Sequence, residues 1–398
     1  MNILQQIKRF CQEDWMSFLF GAITVSAIIG FLPHLPQIGV YAFLLAFALY
    51  CFSRPHKNNA LLVALLVYIP IELLIAQPDA LFKSWQRYVM FALLLFCVSP
   101  LFDGVYHRTT RRRLMQMLLW SCTFIGIGSF FAWFLGINYM VASRLDFANQ
   151  VGLFGGLTTH SMLLGPVSGI GAIFMSYYAF TRKKNIYWLL VALCLITILF
   201  SASRSALMSS LAGIIVTVYK LSGRASRFMQ VGVVSVVIAA STFSLWGGAL
   251  DGIISKNVGN TETLDTSSRQ VKWDTRIAEL QKSPITGIGF VSVDEEISEN
   301  EVDYTTGTVE TGTSWLIVLS MLGIIGAVIL YPFFFRAYTT IWKQKDRYSA
   351  IVVGVLTLMY IHMFAEGYIF SGGSFMCFVL WLTVGAAYDS KYLNNIKS

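Results

Sequence analysis

The chain alternates long apolar runs with short, mostly basic connections, and that alternation leaves few folds open. The runs fall near 17–33, 38–53, 59–76, 88–101, 114–136, 161–181, 185–202, 205–221, 228–247, 313–335, 349–365 and 372–388. Apolar stretches of about 17–25 residues span a bilayer as helices, which satisfy their own backbone hydrogen bonds. The second and fourth runs are short, so their ends are the least sharply marked. Only 13% of the 398 residues are charged and 56% are hydrophobic. Soluble domains carry about 25% charged residues, so this chain has too little polar surface to face water all round. The expected fold is all-α, a polytopic transmembrane helical bundle of about twelve spans. No fixed-period repeat and no low-complexity linker divides the chain, so residues 1–398 read as a single membrane domain. Residues 1–16 are polar and mixed in charge, and no small-residue cleavage site follows them. The first apolar run therefore reads as a first helix and not as a signal peptide.

The formal charge of +8 is distributed as a topology signal. With the N-terminus inside, 20 of the 29 Lys and Arg residues fall on inner segments, including the clusters Arg111–Arg113 and Arg182–Lys184. Cytoplasmic loops of membrane proteins are enriched in Lys and Arg, so both termini are expected in the cytoplasm. This accounts for the basic balance without nucleic acid. The six cysteines lie in the spans, at their ends or in the N-terminal segment, which predicts neither a disulfide framework nor a metal site. No phosphate-cradling loop and no nucleophile elbow is present, so a nucleotide cofactor is not expected.

One sizeable extramembrane segment remains, the outer loop 248–312. Within it RQVKWDTRIAELQKS reads as an amphipathic helix that ends at Pro284. Helical spacing puts Arg269, Lys272 and Arg276 on one face, with Trp273, Ile277 and Leu280 as an adjacent apolar stripe. Such a helix either aims its cations into a cleft or grips outer-leaflet phosphates. An acidic run follows, Asp294 to Asp303, and reads as a solvated loop. Arg204 sits between two apolar runs with only Ser and Ala beside it, at their outer ends. An arginine at the membrane edge is costly and marks a functional site or a snorkelling side chain. Its guanidinium suits a diphosphate, since it binds bidentately and keeps its charge. Glu72, beside Pro70, and Glu366, one turn after His362, are the membrane carboxylates able to act as a base or to pair an arginine. His362 reads as an interior histidine. His160 opens the sixth span after a Gly-rich outer loop and faces the same side as Arg204.

Taken in order, these residues resemble the O-antigen ligase/polymerase superfamily, which includes Wzy-type O-antigen polymerases and exopolysaccharide polymerases. The resemblance rests on Ser203-Arg204-Ser205-Ala206, on Arg269, Trp273 and Pro284–Phe290 in the outer loop, on Leu316–Gly326 with its two glycines, and on Phe364-Ala365-Glu366-Gly367-Tyr368. It covers about residues 190–390; the N-terminal half matches in hydropathy alone. The resemblance implies a metal-independent, inverting membrane glycosyltransferase of the bacterial inner membrane, with the 248–312 loop and its short helices in the periplasm. Its donor would be an undecaprenyl-diphosphate-linked oligosaccharide in the lipid bilayer. A glycan acceptor would attack, with a chain-length regulator and a flippase as candidate assembly partners. Arg204 and Arg269 would hold the diphosphate, while His160, Lys272, Trp273 and Arg276 would bind substrate. Ligases carry a histidine just before the span after the large loop, whereas this chain reads Val309-Glu310-Thr311-Gly312-Thr313-Ser314-Trp315. That departure favours a polymerase, or a different base such as Glu310, with Glu366 the other candidate. A ligase acting on lipid A–core is one alternative. A transporter or flippase is another, and would show an inverted repeat, broken helices and midplane charges.

Overall fold

The computed structural model describes residues 14–140, 154–222, 268–297, 302–303, 308–309 and 312–390. In chain order the helices among them are α1 (Trp15–Ser26), α2 (Gln37–Phe52), α3 (Ala60–Ala76), α4 (Ser84–Val98), α5 (Val105–Phe134) and α6 (Ser161–Arg182). There follow α7 (Asn185–Phe200), α8 (Arg204–Ser222), α9 (Ser268–Lys282), α10 (Ser314–Lys343), α11 (Arg347–His362) and α12 (Phe375–Asp389). A 3-10 turn, Ala80–Phe82, leads into α4. Two antiparallel ladders of two residues per strand complete the set, Lys57–Asn58 with Phe102–Asp103 and Val302–Asp303 with Thr308–Val309.

Five helical runs are long and apolar enough to cross a membrane: Ala80–Val98, Val105–Phe134, Ser161–Arg182, Arg204–Ser222 and Ser314–Lys343. Six shorter apolar helices of 10–17 residues stand beside them. Together these lie on eleven of the expected spans, and the remaining one, 228–247, falls outside the described residues. The helices turn large apolar side chains outward, among them Ile38 at 82% exposure, Phe335 at 71% and Leu74 at 66%. Such faces suit hydrocarbon and would be unstable in water.

Several boundaries differ from the sequence expectation, and two of them rest on contacts distant in the chain. The first apolar run, expected to 33, stops being helical after Ser26. Beyond it Ile29 forms an antiparallel bridge with Thr158, and the Gly30 amide donates to the Leu157 carbonyl at 2.9 Å. The second difference is at α5, which begins at Val105 and carries the basic cluster inside its first turns. Arg111 is 1% exposed there because it forms a two-pronged ion pair with Asp389 of α12 at 2.7 and 2.7 Å. It also donates to the Ser99 and Phe102 carbonyls at 2.8 and 2.9 Å. A buried arginine is tolerable only with its charge paired and its donors used.

The centre of the bundle is α6, which packs against α5, α7, α8 and α11. Small residues permit this, as at Gly213 of α8 and Gly354 of α11, whose backbones meet with no room for a side chain between them. Interhelical polar bonds add to it: the Thr197 hydroxyl donates across to the Gly126 carbonyl at 2.9 Å.

Candidate active site

At one end of the bundle a cleft of about 190 Å³ is lined by His160, Met162, Leu163, His362, Glu366, Tyr368 and Met376. It gathers the N-terminus of α6, the C-terminus of α11 and the turn leading to α12. His160 is the N-cap of α6, and its Nδ1 accepts from the Met162 amide at 3.1 Å. A ring nitrogen that accepts from an amide carries no proton, so the neutral ring holds its proton on Nε2. His362, in the last turn of α11, is 2% exposed and stacks on the Tyr368 ring at 5.8 Å between centroids.

Glu366 lies four residues past the end of α11, half-buried. Its backbone is fixed from two sides. The amide donates to the His362 carbonyl at 3.1 Å, and the carbonyl accepts from the Ser314 amide at 3.0 Å and hydroxyl at 2.7 Å. The same Ser314 oxygen accepts from the Tyr368 amide at 3.0 Å. The first residue of α10 thus ties down the segment that carries the carboxylate into the cleft. Tyr368 donates its hydroxyl to the Met359 carbonyl at 3.1 Å. Burial first, and then the charge of Glu366, push its phenol well above the ordinary range, so it stays a donor.

Arg204 is the first residue of α8 and is exposed. Its neighbours Ser203 and Ala206 press on α6 at Gly165, where an added Cβ would lie 3.0 and 2.7 Å from their Cβ atoms. That contact is little more than a turn from His160, so Arg204 stands at the same end of the bundle as the cleft, although it is not among the residues lining it.

Beside this end α10 is broken. Gly323 has φ 62° and ψ −165°, and the 284–289 segment fills the gap. The Ile324 amide donates to the Pro284 carbonyl at 2.9 Å and Ile325 to Ile285 at 3.3 Å; in return Ile288 donates to Ser320 at 2.9 Å and Gly289 to Met321 at 3.3 Å. Tyr68 of α3 donates to both partners of this seam, the Thr286 and Leu322 carbonyls, at 3.1 and 3.0 Å. One turn on, buried Glu72 accepts from the Phe290 amide at 3.0 Å. Glu72 therefore anchors the returning loop and does not line the cleft. The transporter alternative calls for a broken helix, and α10 is one. Here, however, the backbone groups freed at the break are paired by the 284–289 segment.

The outer-loop helix docks differently from its sequence pattern. In α9 the inward residues are Thr275, Arg276 and Glu279, while Ile277 of the expected apolar stripe is 42% exposed. Arg276 is 1% exposed and forms an ion pair with Glu279 at 2.7 Å. Glu279 in turn accepts from the Asp294 amide at 3.0 Å. The cation expected to face a cleft is instead held inside the loop. Lys272 is half-buried with its stem against Gly312, and Trp273 is half-buried with an indole N–H that finds no partner among the described residues. Lys282 pairs with Asp294, which raises its ammonium above the ordinary range, and lies 3.6 Å from Glu296. The start of the acidic run is thereby tied to α9. Arg269 lies in the first turn of α9, but its side chain is outside the described set, and Glu310 lies outside the described residues. Sequence reasoning did not single out Ser314 or Tyr68; each acts through partners distant in the chain, and neither carries a local signal.

No curated protein matches the chain. Residues 189–331, which run from within α7 through α8 and α9 to the middle of α10, match the family model described as O-antigen ligase. That segment is similar to the O-antigen ligase family, in line with the resemblance that the sequence carries.

Proposed function

We propose that this chain is a polysaccharide polymerase. It transfers glycan repeat units from undecaprenyl diphosphate onto a growing O-antigen, capsule or exopolysaccharide chain at the periplasmic face of the inner membrane. The observation that carries the reading is the cleft uniting His160, His362 and Glu366 at the end of the bundle where α8 begins with Arg204. The Lys- and Arg-rich opposite end faces the cytoplasm, with both termini, by the charge bias of the loops.

In the reaction, an acceptor hydroxyl oxygen forms a bond to the anomeric carbon as the bond from that carbon to the diphosphate oxygen breaks. Attack opposite the leaving group inverts the centre. The hydroxyl proton passes to a base, for which Glu366 is the choice: its carboxylate faces the cleft and its backbone is clamped. His160, its Nδ1 held by the Met162 amide, keeps Nε2 to bind the sugar hydroxyls. Arg204 and Arg269 take the charge that develops on the departing diphosphate. Lys272 and Trp273 bind sugar, and Arg276 supports the loop from inside. Glu310 is the competing base.

A ligase transferring the glycan to lipid A–core is the second reading. It is favoured by one observation, that the cleft holds two histidines although none precedes α10. The deciding experiment gives purified protein the lipid-linked repeat unit alone. A polymerase lengthens the chain without lipid A–core, and a ligase does not. Arg204→Ala and Glu366→Gln should each abolish growth while leaving membrane insertion intact. Full-length polymer from Glu366→Gln, with none from Glu310→Gln, would move the base to Glu310.

A further inference from the structure

At the opposite, basic end of the bundle a second cavity of about 350 Å³ lies between the Lys57–Asn58 ladder, the start of α3, and the ends of α10 and α12. This is within the range of small-molecule sites. Its floor is the Arg111–Asp389 ion pair, in which the charges cancel and the donors are largely used. Asp103 at the wall is held by Arg108 at 2.6 Å. The Tyr388 hydroxyl is committed to the Phe333 carbonyl at 3.1 Å, and Asn59 caps the Leu61 amide at 3.1 Å.

What remains facing the cavity is two cations, Lys57 and Arg336, with the Asn58 amide beside them. Both cations are exposed, and neither has an ion-pair partner among the described residues. Two like charges sharing one cavity repel each other. An anion between them removes the repulsion and uses an ammonium and a guanidinium as charge-assisted donors. We propose that this cavity is a binding site for a phosphate-bearing anion, gripped by Lys57 and Arg336. An anionic phospholipid headgroup and a free phosphate share that chemistry. The site's place at the basic end, where the cytoplasmic leaflet supplies anionic lipid, favours the headgroup.

The test uses the full chain purified in neutral detergent. Thermal unfolding is followed while phosphatidylglycerol, phosphatidylcholine or inorganic phosphate is added. Phosphatidylglycerol should raise the melting temperature, and phosphatidylcholine should not. In Lys57→Gln/Arg336→Gln the apparent affinity should fall about tenfold or more, from the loss of two charge-assisted bonds. With no added anion the double variant should melt at or above the parent temperature, which separates lost binding from lost folding. A response to inorganic phosphate of similar size would also support the site and make free phosphate its source. An equal phosphatidylglycerol response in parent and double variant, or no response to either anion, would overturn the proposal.

Discussion

Ser314 donates twice to one acceptor, the main-chain carbonyl of Glu366, from its amide at 3.0 Å and its hydroxyl at 2.7 Å. Its hydroxyl oxygen also receives the Tyr368 amide at 3.0 Å. Ser314→Ala removes the hydroxyl and strands the buried Tyr368 amide. The expected cost is about 1–3 kcal/mol of stability, since an unsatisfied buried donor loses its full hydration. Polymer length in an in vitro assay should fall as the Glu366 turn loosens, and Ser314→Thr should restore it. Equal activity in the Ala and Ser forms would show that the turn needs no such tie.

Gly323 and Gly287 permit the seam between α10 and the returning loop. A Cβ on Gly323, at φ 62°, would lie 2.2 Å from the Ile285 carbonyl oxygen, and one on Gly287, at φ 87°, 2.2 Å from the Met321 oxygen. Both obstacles are backbone, so neither can swing aside. Gly323→Ala and Gly287→Ala should each cost at least the roughly 1–3 kcal/mol of a residue forced into a sparsely populated backbone region. Because both clashes fall on one seam, the double variant should lose less than the sum. Melting curves in detergent for the four proteins give that comparison directly.

Most of the helices can be read from the sequence because hydrophobic length alone places them. The start of α5 cannot, because Arg108–Arg113 look like a loop until Asp389, 278 residues from Arg111, supplies the counter-charge. The end of α1 depends on Thr158 in the same way. Of the site, His160 and Glu366 stand out as polar residues at span ends, and the structure brings them to one cleft. Ser314 gives no such signal, since its role exists only through a contact with Glu366, 52 residues away. In α9 the stripe of Trp273, Ile277 and Leu280 is only partly covered, with Ile277 exposed, because the most buried residues are Thr275, Arg276 and Glu279, and the charges of the last two are paired within the helix.

Glu72 offers one carboxylate oxygen to the Phe290 amide, and its other oxygen, Oε1, has no hydrogen-bond partner among the described residues. A glutamine at this position keeps an acceptor of the same shape and brings no charge into the membrane interior. Glu72→Gln should therefore fold and melt like the parent or slightly above it. Glu72→Leu leaves the Phe290 amide buried and unpaired, and should lose about 1–3 kcal/mol. If the Gln form were as damaged as the Leu form, the negative charge itself would be what the loop requires.

The Arg276–Glu279 pair has both side chains 0% exposed, so its two charges are worth comparing one at a time. Glu279→Gln retains an acceptor for the Asp294 amide but takes the counter-charge at 2.7 Å from a buried guanidinium. Breaking one side of a buried pair typically costs about 3–5 kcal/mol. Arg276→Met added to Glu279→Gln replaces the buried guanidinium with an apolar chain of similar reach, so the double variant should be more stable than Glu279→Gln alone. Limited proteolysis of the loop in membranes reads this locally, without unfolding the helices of the bundle. Cleavage near α9 should be fastest in Glu279→Gln and slower in the double variant. The reverse order would mean that Arg276 is held by other partners and that its pairing with Glu279 contributes little.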